Sequence, residues 1–277
     1  MIVPERNSAQ DFEHNEPLRR IQSALDASRE VFVRFSPGKI EAEYKARRNL
    51  VTEADRAIDA LLRQHLLREG EGWLSEESAD DRSRLGKARV WVVDPLDGTL
   101  EFVAGIPEFC TSVALVDNGY PVAGGIYNPA TNQFFLGSLG TGVTLNGAPV
   151  AASRKDHLQG ALILGSRSET KRGEWKRFEH APFRMQPTGS VAYKLALVAA
   201  GMADAMFTLR PKHEWDIAAG VALVEAAAGF VGAPDGAPLS FNRPLPRLPG
   251  LLACGMSLRD ELLSLINTSR PVRARRP

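Results

Sequence analysis

Leu18, Ile21, Leu25, Ser28 and Phe32 recur at helical spacing, which predicts a helix over residues 17–34 ended by Ser36-Pro37-Gly38. Ile58, Leu61, Leu62 and Leu66 share one face of a second predicted helix, Thr52 to Glu69. A short apolar run predicts a strand ahead of Ser75, and Val90 to Val93 reads as a short buried strand. Residues 111–117, 121–128 and 132–137 read as strands separated by Asn118-Gly119 and Asn128-Pro129 turns, and Asn146-Gly147 marks another hairpin. From about residue 150 strands and helices alternate. A strand at 162–166 is followed by a helix at 190–200, a strand at 203–209, a helix at 217–228 closed by Gly229, and a last strand at 251–254. The order predicts an α+β half, residues 1–150, followed by an α/β half, residues 151–277, in layers of sheet and helix.

The chain has 277 residues, 44% of them hydrophobic, enough for one large domain or two intimate halves. Net charge is +1, so nothing global points to nucleic acid or an anionic membrane. The Arg/Pro-rich tail, Arg270 to Pro277, reads as a solvated end. Cys110 and Cys254 stand far apart in no metal-binding spacing, and residues 1–17 hold no apolar leader. The expectation is a reduced, cytoplasmic chain. No apolar run is long enough to span a bilayer.

The chemistry concentrates in Asp94-Pro95-Leu96-Asp97-Gly98-Thr99-Leu100-Glu101-Phe102, where the predicted strand runs into two carboxylates with a proline between them. Taken alone, this is ordinary turn chemistry. The alternative is a metal site at the C-terminal end of a strand, with Thr99 to Phe102 opening a helix whose first N–H groups meet an anion. Three other stretches supply acids: Glu76 and Glu77, Asp55 and Asp216. Each has a plain structural reading, as a solvated loop, a Thr52-x-x-Asp55 capping box and a helix N-cap respectively.

Taken together, Val51-Thr52-Glu53-Ala54-Asp55, Glu76-Glu77-Ser78, Asp94-Pro95-Leu96-Asp97-Gly98-Thr99 and Trp215-Asp216-Ile217-Ala218-Ala219-Gly220 resemble the lithium-sensitive, Mg²⁺-dependent phosphomonoesterases of the inositol monophosphatase superfamily, in order and over nearly the whole chain. The resemblance implies a layered αβαβα fold of the sugar-phosphatase type, a small phosphate ester as substrate, and homodimerisation, which is common among its members. It also implies two or three Mg²⁺ ions, with Mn²⁺ as a substitute. Glu76, Asp94 and the carbonyl of Leu96 would hold the first, and Asp94, Asp97 and Asp216 the second. Asp55 and Glu76 would complete a weaker third site. Thr99, paired with Asp55, would activate water, and the N–H groups of Gly98 and Thr99 would bind phosphate. Glu77 would stand behind the ligands, and Ser78 is a further candidate. Carboxylates converging in one cleft need compensating cations, and an oxygen-only donor set suits Mg²⁺ better than zinc. Their mutual repulsion predicts that Asp97→Asn leaves the metal-free protein no less stable.

Leu74-Ser75-Glu76-Glu77, the Glu101-Phe102 ending, Glu214-Trp215-Asp216 and Ser240-Phe241-Asn242-Arg243-Pro244 resemble the CysQ-type phosphatases of adenosine 3′,5′-bisphosphate. Where inositol enzymes commonly carry an acid ahead of Trp-Asp, this chain has Leu209-Arg210-Pro211-Lys212-His213, so Arg210, Lys212 or His213 could meet a second phosphate; solvated loop charges are the plain alternative. Ile106-Pro107 departs from the loop many of those enzymes carry. An inositol phosphate or related polyol phosphate is the other substrate reading. A non-catalytic binding protein on the same fold is the reading from a different class, and no metal ligand of the pattern is missing to favour it.

Overall fold

Helix, sheet, helix, sheet and helix stack in that order in the computed structural model, which describes residues 15–34, 43–45, 49–51 and 53–269. The layering is the αβαβα arrangement expected from sequence. The predicted helix stop at Ser36-Pro37-Gly38, Thr52 of the capping box and the tail from Arg270 lie outside the described residues.

Helix α1 (Glu16–Arg34) leads to a small hairpin, β1 (Glu43–Lys45) and β2 (Asn49–Val51), and then to α2 (Glu53–Leu66). A seven-stranded sheet follows in chain order: β3 (Gly72–Ser75), β4 (Arg89–Asp97), β5 (Cys110–Asp117), β6 (Tyr120–Asn128), β7 (Gln133–Ser138), β8 (Gly142–Leu145) and β9 (Ala148–Val150), with the short helix α3 (Thr99–Val103) between β4 and β5. Strand β3 pairs parallel with β4, and every later pair is antiparallel. Successive strand residues face opposite ways, so a strand covered on both sides is apolar throughout. Trp91 and Val93 accordingly pack under the apolar stripes of α1 and α2, while Val90 and Val92 face the helix layer on the other side.

The second sheet takes its strands from the rest of the chain. In sequence come β10 (Leu162–Ser166), α4 (Arg167–Lys171), β11 (Arg184–Thr188), α5 (Val191–Ala199), β12 (Ala205–Thr208), the short β13 (Lys212–His213), α6 (Glu214–Ala226), β14 (Gly229–Gly232), the short β15 (Arg247–Leu248), β16 (Leu251–Gly255) and α7 (Arg259–Thr268). The five long strands order as β11-β10-β12-β16-β14. Helices α5 and α6 lie between the two sheets and share one core with both, so they are apolar nearly all round. Helix α7 covers the outer face of the second sheet with Leu262 and Ile266, joined by Leu258 from the turn just before it.

Four features differ from the sequence pattern. Helix α6 begins at Glu214, not Ile217, because its polar first turn belongs to the cleft and carries no apolar signal. The helix expected to run to Ala228 and close at Gly229 ends at Ala226, with Ala228 rather than Gly229 in the left-handed turn (φ 60°) and Gly229 beginning β14, and β11 went unread because Arg-Met-Gln-Pro-Thr alternates only weakly at a sheet edge. Strand β4 continues through Asp97 instead of stopping at Val93, with a consequence for the acids described below. Among the described residues no helix is long and apolar enough to cross a membrane.

Candidate active site

Asp94 stands opposite Ser112 on β5, and Asp97 stands opposite Cys110. Three steps on β4 thus match two on β5, so β4 carries a bulge with one extra residue. Pro95 sits inside it, where a missing N–H costs no ladder bond, and its carbonyl accepts the Thr111 hydroxyl at 2.8 Å. The bulge re-aims the two aspartates that strict alternation would have placed on opposite faces.

Asp94 is 1% exposed, and its carboxylate accepts the Leu96 N–H at 3.1 Å. Glu76 comes from the loop after β3 and Asp216 from the first turn of α6. One carboxylate oxygen from each of Glu76, Asp94 and Asp216 lies within 4.8 Å of the other two. Burial pushes the Asp94 carboxyl well above the ordinary aspartate range, and the charges of Glu76, Asp97, Asp216 and Asp55 push further the same way. Burial and Asp97 raise Asp216 to about 7. Asp216 is no N-cap; it sits at the third position of α6 and accepts the His213 N–H at 3.0 Å.

Asp97 has another environment. Its Oδ2 accepts the Ser190 hydroxyl at 2.7 Å and the Ala192 N–H at 2.6 Å, at the start of α5. Ser190 has φ 50°, a left-handed value unusual for serine. Lys194, 2% exposed, spans this turn: its Nζ donates to the carbonyls of Thr188, Gly189 and Ser190 at 3.0, 3.3 and 2.7 Å. Burial lowers Lys194 to about 8. Ser190 and Lys194 escaped the sequence reading, because a serine ahead of an apolar helix looks like a cap and a lysine inside it looks like a solvated charge.

The Glu76 loop is fastened to α2 by Asp59, whose two carboxylate oxygens accept the hydroxyls of Ser75 and Ser78, each at 2.6 Å. Ser78 is thereby given a holding role. Asp59 lies one turn beyond Asp55, which is 3% exposed on the same helix. Gly98 has φ 94°, and a Cβ there would come within 2.8 Å of the Glu108 carbonyl, so only glycine fits ahead of α3. The Thr99 hydroxyl donates to the Leu96 carbonyl at 3.0 Å. Its one proton is therefore committed there, and service to Asp55 or water requires that bond to open. The Leu96 oxygen keeps a second lone pair.

Glu76, Asp97, Gly98, Thr99, Lys194 and Asp216 line a cleft of about 570 Å³, with Asp94 buried beside them. Its mouth is cationic. Arg210 is held by Glu174 through two bonds of 2.9 Å, and Arg172 reaches the same carboxylate at 2.7 Å. The bond from Arg210, with help from Arg172, drops Glu174 to about 2. Lys212 lines the same cleft, and His213 lies flat on Trp215 with ring centroids 4.4 Å apart. The structure thus brings Glu76, Asp94 and Asp216 together, and Leu96, Asp97, Gly98, Thr99, Arg210, Lys212 and His213 line the same cleft. Arg210 reaches the mouth already paired.

The donor set fits a hard divalent cation. The converging ligands are all carboxylate oxygens, among the described residues no imidazole or thiolate joins them, and Asp94 is buried where an uncompensated charge is unstable.

The profile of the inositol monophosphatase family matches residues 14–268. The inositol monophosphatase of Mesembryanthemum crystallinum is 33% identical over 233 residues, which are 78% of this chain and 86% of that protein. The solved inositol monophosphatase of Anabaena superposes with a TM-score of 0.74 at 29% identity, covering 96% of this chain and 99% of its own. The CysQ structure of Bacteroides thetaiotaomicron gives 0.71 at 28% identity, covering 88% and 98%.

Proposed function

We propose, because this chain belongs to the inositol monophosphatase family of phosphoric monoester hydrolases, that its cleft hydrolyses a small phosphate monoester with two or three Mg²⁺ ions held by Glu76, Asp94, Asp97, Asp216 and the Leu96 carbonyl. The carrying observation is the meeting of the Glu76, Asp94 and Asp216 oxygens within 4.8 Å at the cleft floor. Bound Mg²⁺ supplies positive charge to the phosphate and acidifies water for attack. Asp97 gives one oxygen to α5 and leaves the other for the cleft. The N–H groups of Gly98 and Thr99 receive the phosphate. Asp55 and Thr99 orient the attacking water, with Thr99 released from Leu96 as substrate enters.

The substrate we propose is adenosine 3′,5′-bisphosphate, cleaved to AMP and phosphate. The flat His213–Trp215 stack suits a nucleobase, and Arg172, Arg210 and Lys212 suit a second phosphate. The likeness to the Bacteroides CysQ supports the same reading. The second reading is an inositol phosphate or related polyol phosphate, favoured by the names of the Mesembryanthemum and Anabaena relatives. Phosphate release with Mg²⁺ or with EDTA tests the class, and release that ignores EDTA refutes it. Relative kcat/KM for adenosine 3′,5′-bisphosphate, inositol 1-phosphate and fructose 1,6-bisphosphate tests the substrate; a value for inositol 1-phosphate equal to or above the nucleotide's selects the second reading.

A further inference from the structure

Glu101 has no part in the scheme above, yet it lines the cleft at 8% exposure. It stands one turn after Asp97, on the face of α3 that meets Gly189. Among the described residues no other side chain hydrogen-bonds its carboxylate. The nearest cation, Arg167 Nε, is 4.0 Å away. Arg167 is anchored elsewhere, since its Nη2 donates to Glu108 and to the Pro187 carbonyl, and its Nε is buried without a partner. Closing the gap to Glu101 would strain those bonds. A Cβ on Gly189 would come within 2.4 Å of Glu101 Cγ and 2.7 Å of Oε1, so the absence of a side chain at 189 leaves room for this carboxylate. Burial, with Asp97 adding to it, raises the Glu101 carboxyl above its ordinary value, while a bond from its own backbone N–H and then the charges of Lys194 and Arg167 act to keep it ionised.

A carboxylate nine-tenths buried that is met by its own backbone N–H and by no side-chain donor keeps acceptor capacity that is costly to leave unused unless something in the cleft donates to it. The phosphate is anionic and cannot be that donor. We infer that Glu101 is a specificity-determining residue whose carboxylate accepts a hydrogen bond from a substrate hydroxyl next to the scissile phosphate ester. The ligand class is a phosphorylated polyol or ribose, and an ester of a plain alcohol lacks the donor. Gly189 makes the space and Arg167 supplies the compensating charge. The inference rests on the phosphomonoesterase reading, but it holds for either substrate proposed there, because both carry such a hydroxyl.

Two matched pairs test it with the whole protein and Mg²⁺: inositol 1-phosphate against cyclohexyl phosphate, and adenosine 3′,5′-bisphosphate against its 2′-deoxy analogue. The readout is the ratio of kcat/KM within the better-used pair, for wild type and Glu101→Gln. Glutamine keeps the shape and a weaker acceptor, so the ratio should fall about tenfold, and Glu101→Ala should lower it further. A ratio that does not move overturns the inference. So does an equal loss on both members accompanied by a higher Mg²⁺ concentration at the midpoint of the thermal shift, which would make Glu101 a servant of the cation. A wild type that releases no phosphate from any of the four compounds brings down the phosphatase reading, and this inference with it.

Discussion

Asp94→Asn should make the metal-free protein more stable. Asp94 has carboxylate neighbours, Glu76 and Asp216, with oxygens within 4.8 Å. At an effective dielectric near 20, each ionised pair would cost about 3 kcal/mol. Burial and these neighbouring charges raise the Asp94 carboxyl well above its ordinary range, so the metal-free folded chain takes up a proton that the unfolded chain releases, and that uptake limits the penalty. Asparagine removes the ionisation, keeps the volume and still accepts the Leu96 N–H. Allowing for imperfect amide bonds, the gain at pH 7 should be about 2–4 kcal/mol, or a Tm higher by ~5 °C or more in EDTA. The sign depends on pH. Above 3.8 the unfolded chain releases the Asp94 proton and the folded chain holds it, so wild-type stability falls as pH rises; near pH 4 both states hold it and the advantage of asparagine vanishes. Mg²⁺ works against this order: at a hundred times Kd it stabilises the wild type by about 2.7 kcal/mol and the variant far less, which offsets most of the asparagine advantage, and at a thousand times Kd, where the figure is about 4.1 kcal/mol, the order reverses. The assay is melting of both proteins at pH 4 and pH 7, in EDTA and in Mg²⁺. A variant that melts lower than wild type in EDTA at pH 7, or whose advantage persists at pH 4, refutes the repulsion.

Asp97→Asn should behave in the opposite way, contrary to the expectation from charge alone: it weakens the charge-assisted bonds from Ser190 and Ala192, so the EDTA melting point should drop, by about 1–2 kcal/mol in stability; an unchanged or higher value would restore the simpler view. Asp216, raised to about 7, should make the metal-free wild type lose stability as pH climbs from about 4 to 7 and level off above, and Mg²⁺ should flatten the slope; a metal-independent profile over this range counts against the cluster. Asp59→Ala frees the serines that flank Glu76, so the Mg²⁺ concentration at half-maximal thermal shift should rise about tenfold; a lower melting point with an unmoved Mg²⁺ midpoint would reduce Asp59 to a structural tie. Asp55→Asn should cut kcat strongly with little change in the Mg²⁺ midpoint, and near-normal kcat with a lowered Tm would leave Asp55 as a helix-capping residue.

The amino-acid sequence by itself determined the layered fold and the family, because both rest on local information. Periodicity in residues 17–34 and 52–69 marks helices wherever a long apolar stripe must be covered, and four short motifs in order identify the relatives. It could not say how the acids are oriented. The bulge between Asp94 and Asp97 exists only against β5, and the partner of Asp97 lies 93 residues away at Ser190. Nothing in the sequence singles out Asp59 on α2; the fold carries Ser75 and Ser78 to it. Arg210 looked like a solvated charge or a phosphate ligand, and tertiary packing gave it Glu174, 36 residues upstream. Glu101 and Lys194 carry no periodic signal, since one sits in a five-residue helix and the other interrupts an apolar one. Periodicity records which side chains leave water. The oxygen or nitrogen that a buried charge then meets depends on contacts between distant segments, and only the folded chain brings those within hydrogen-bonding distance.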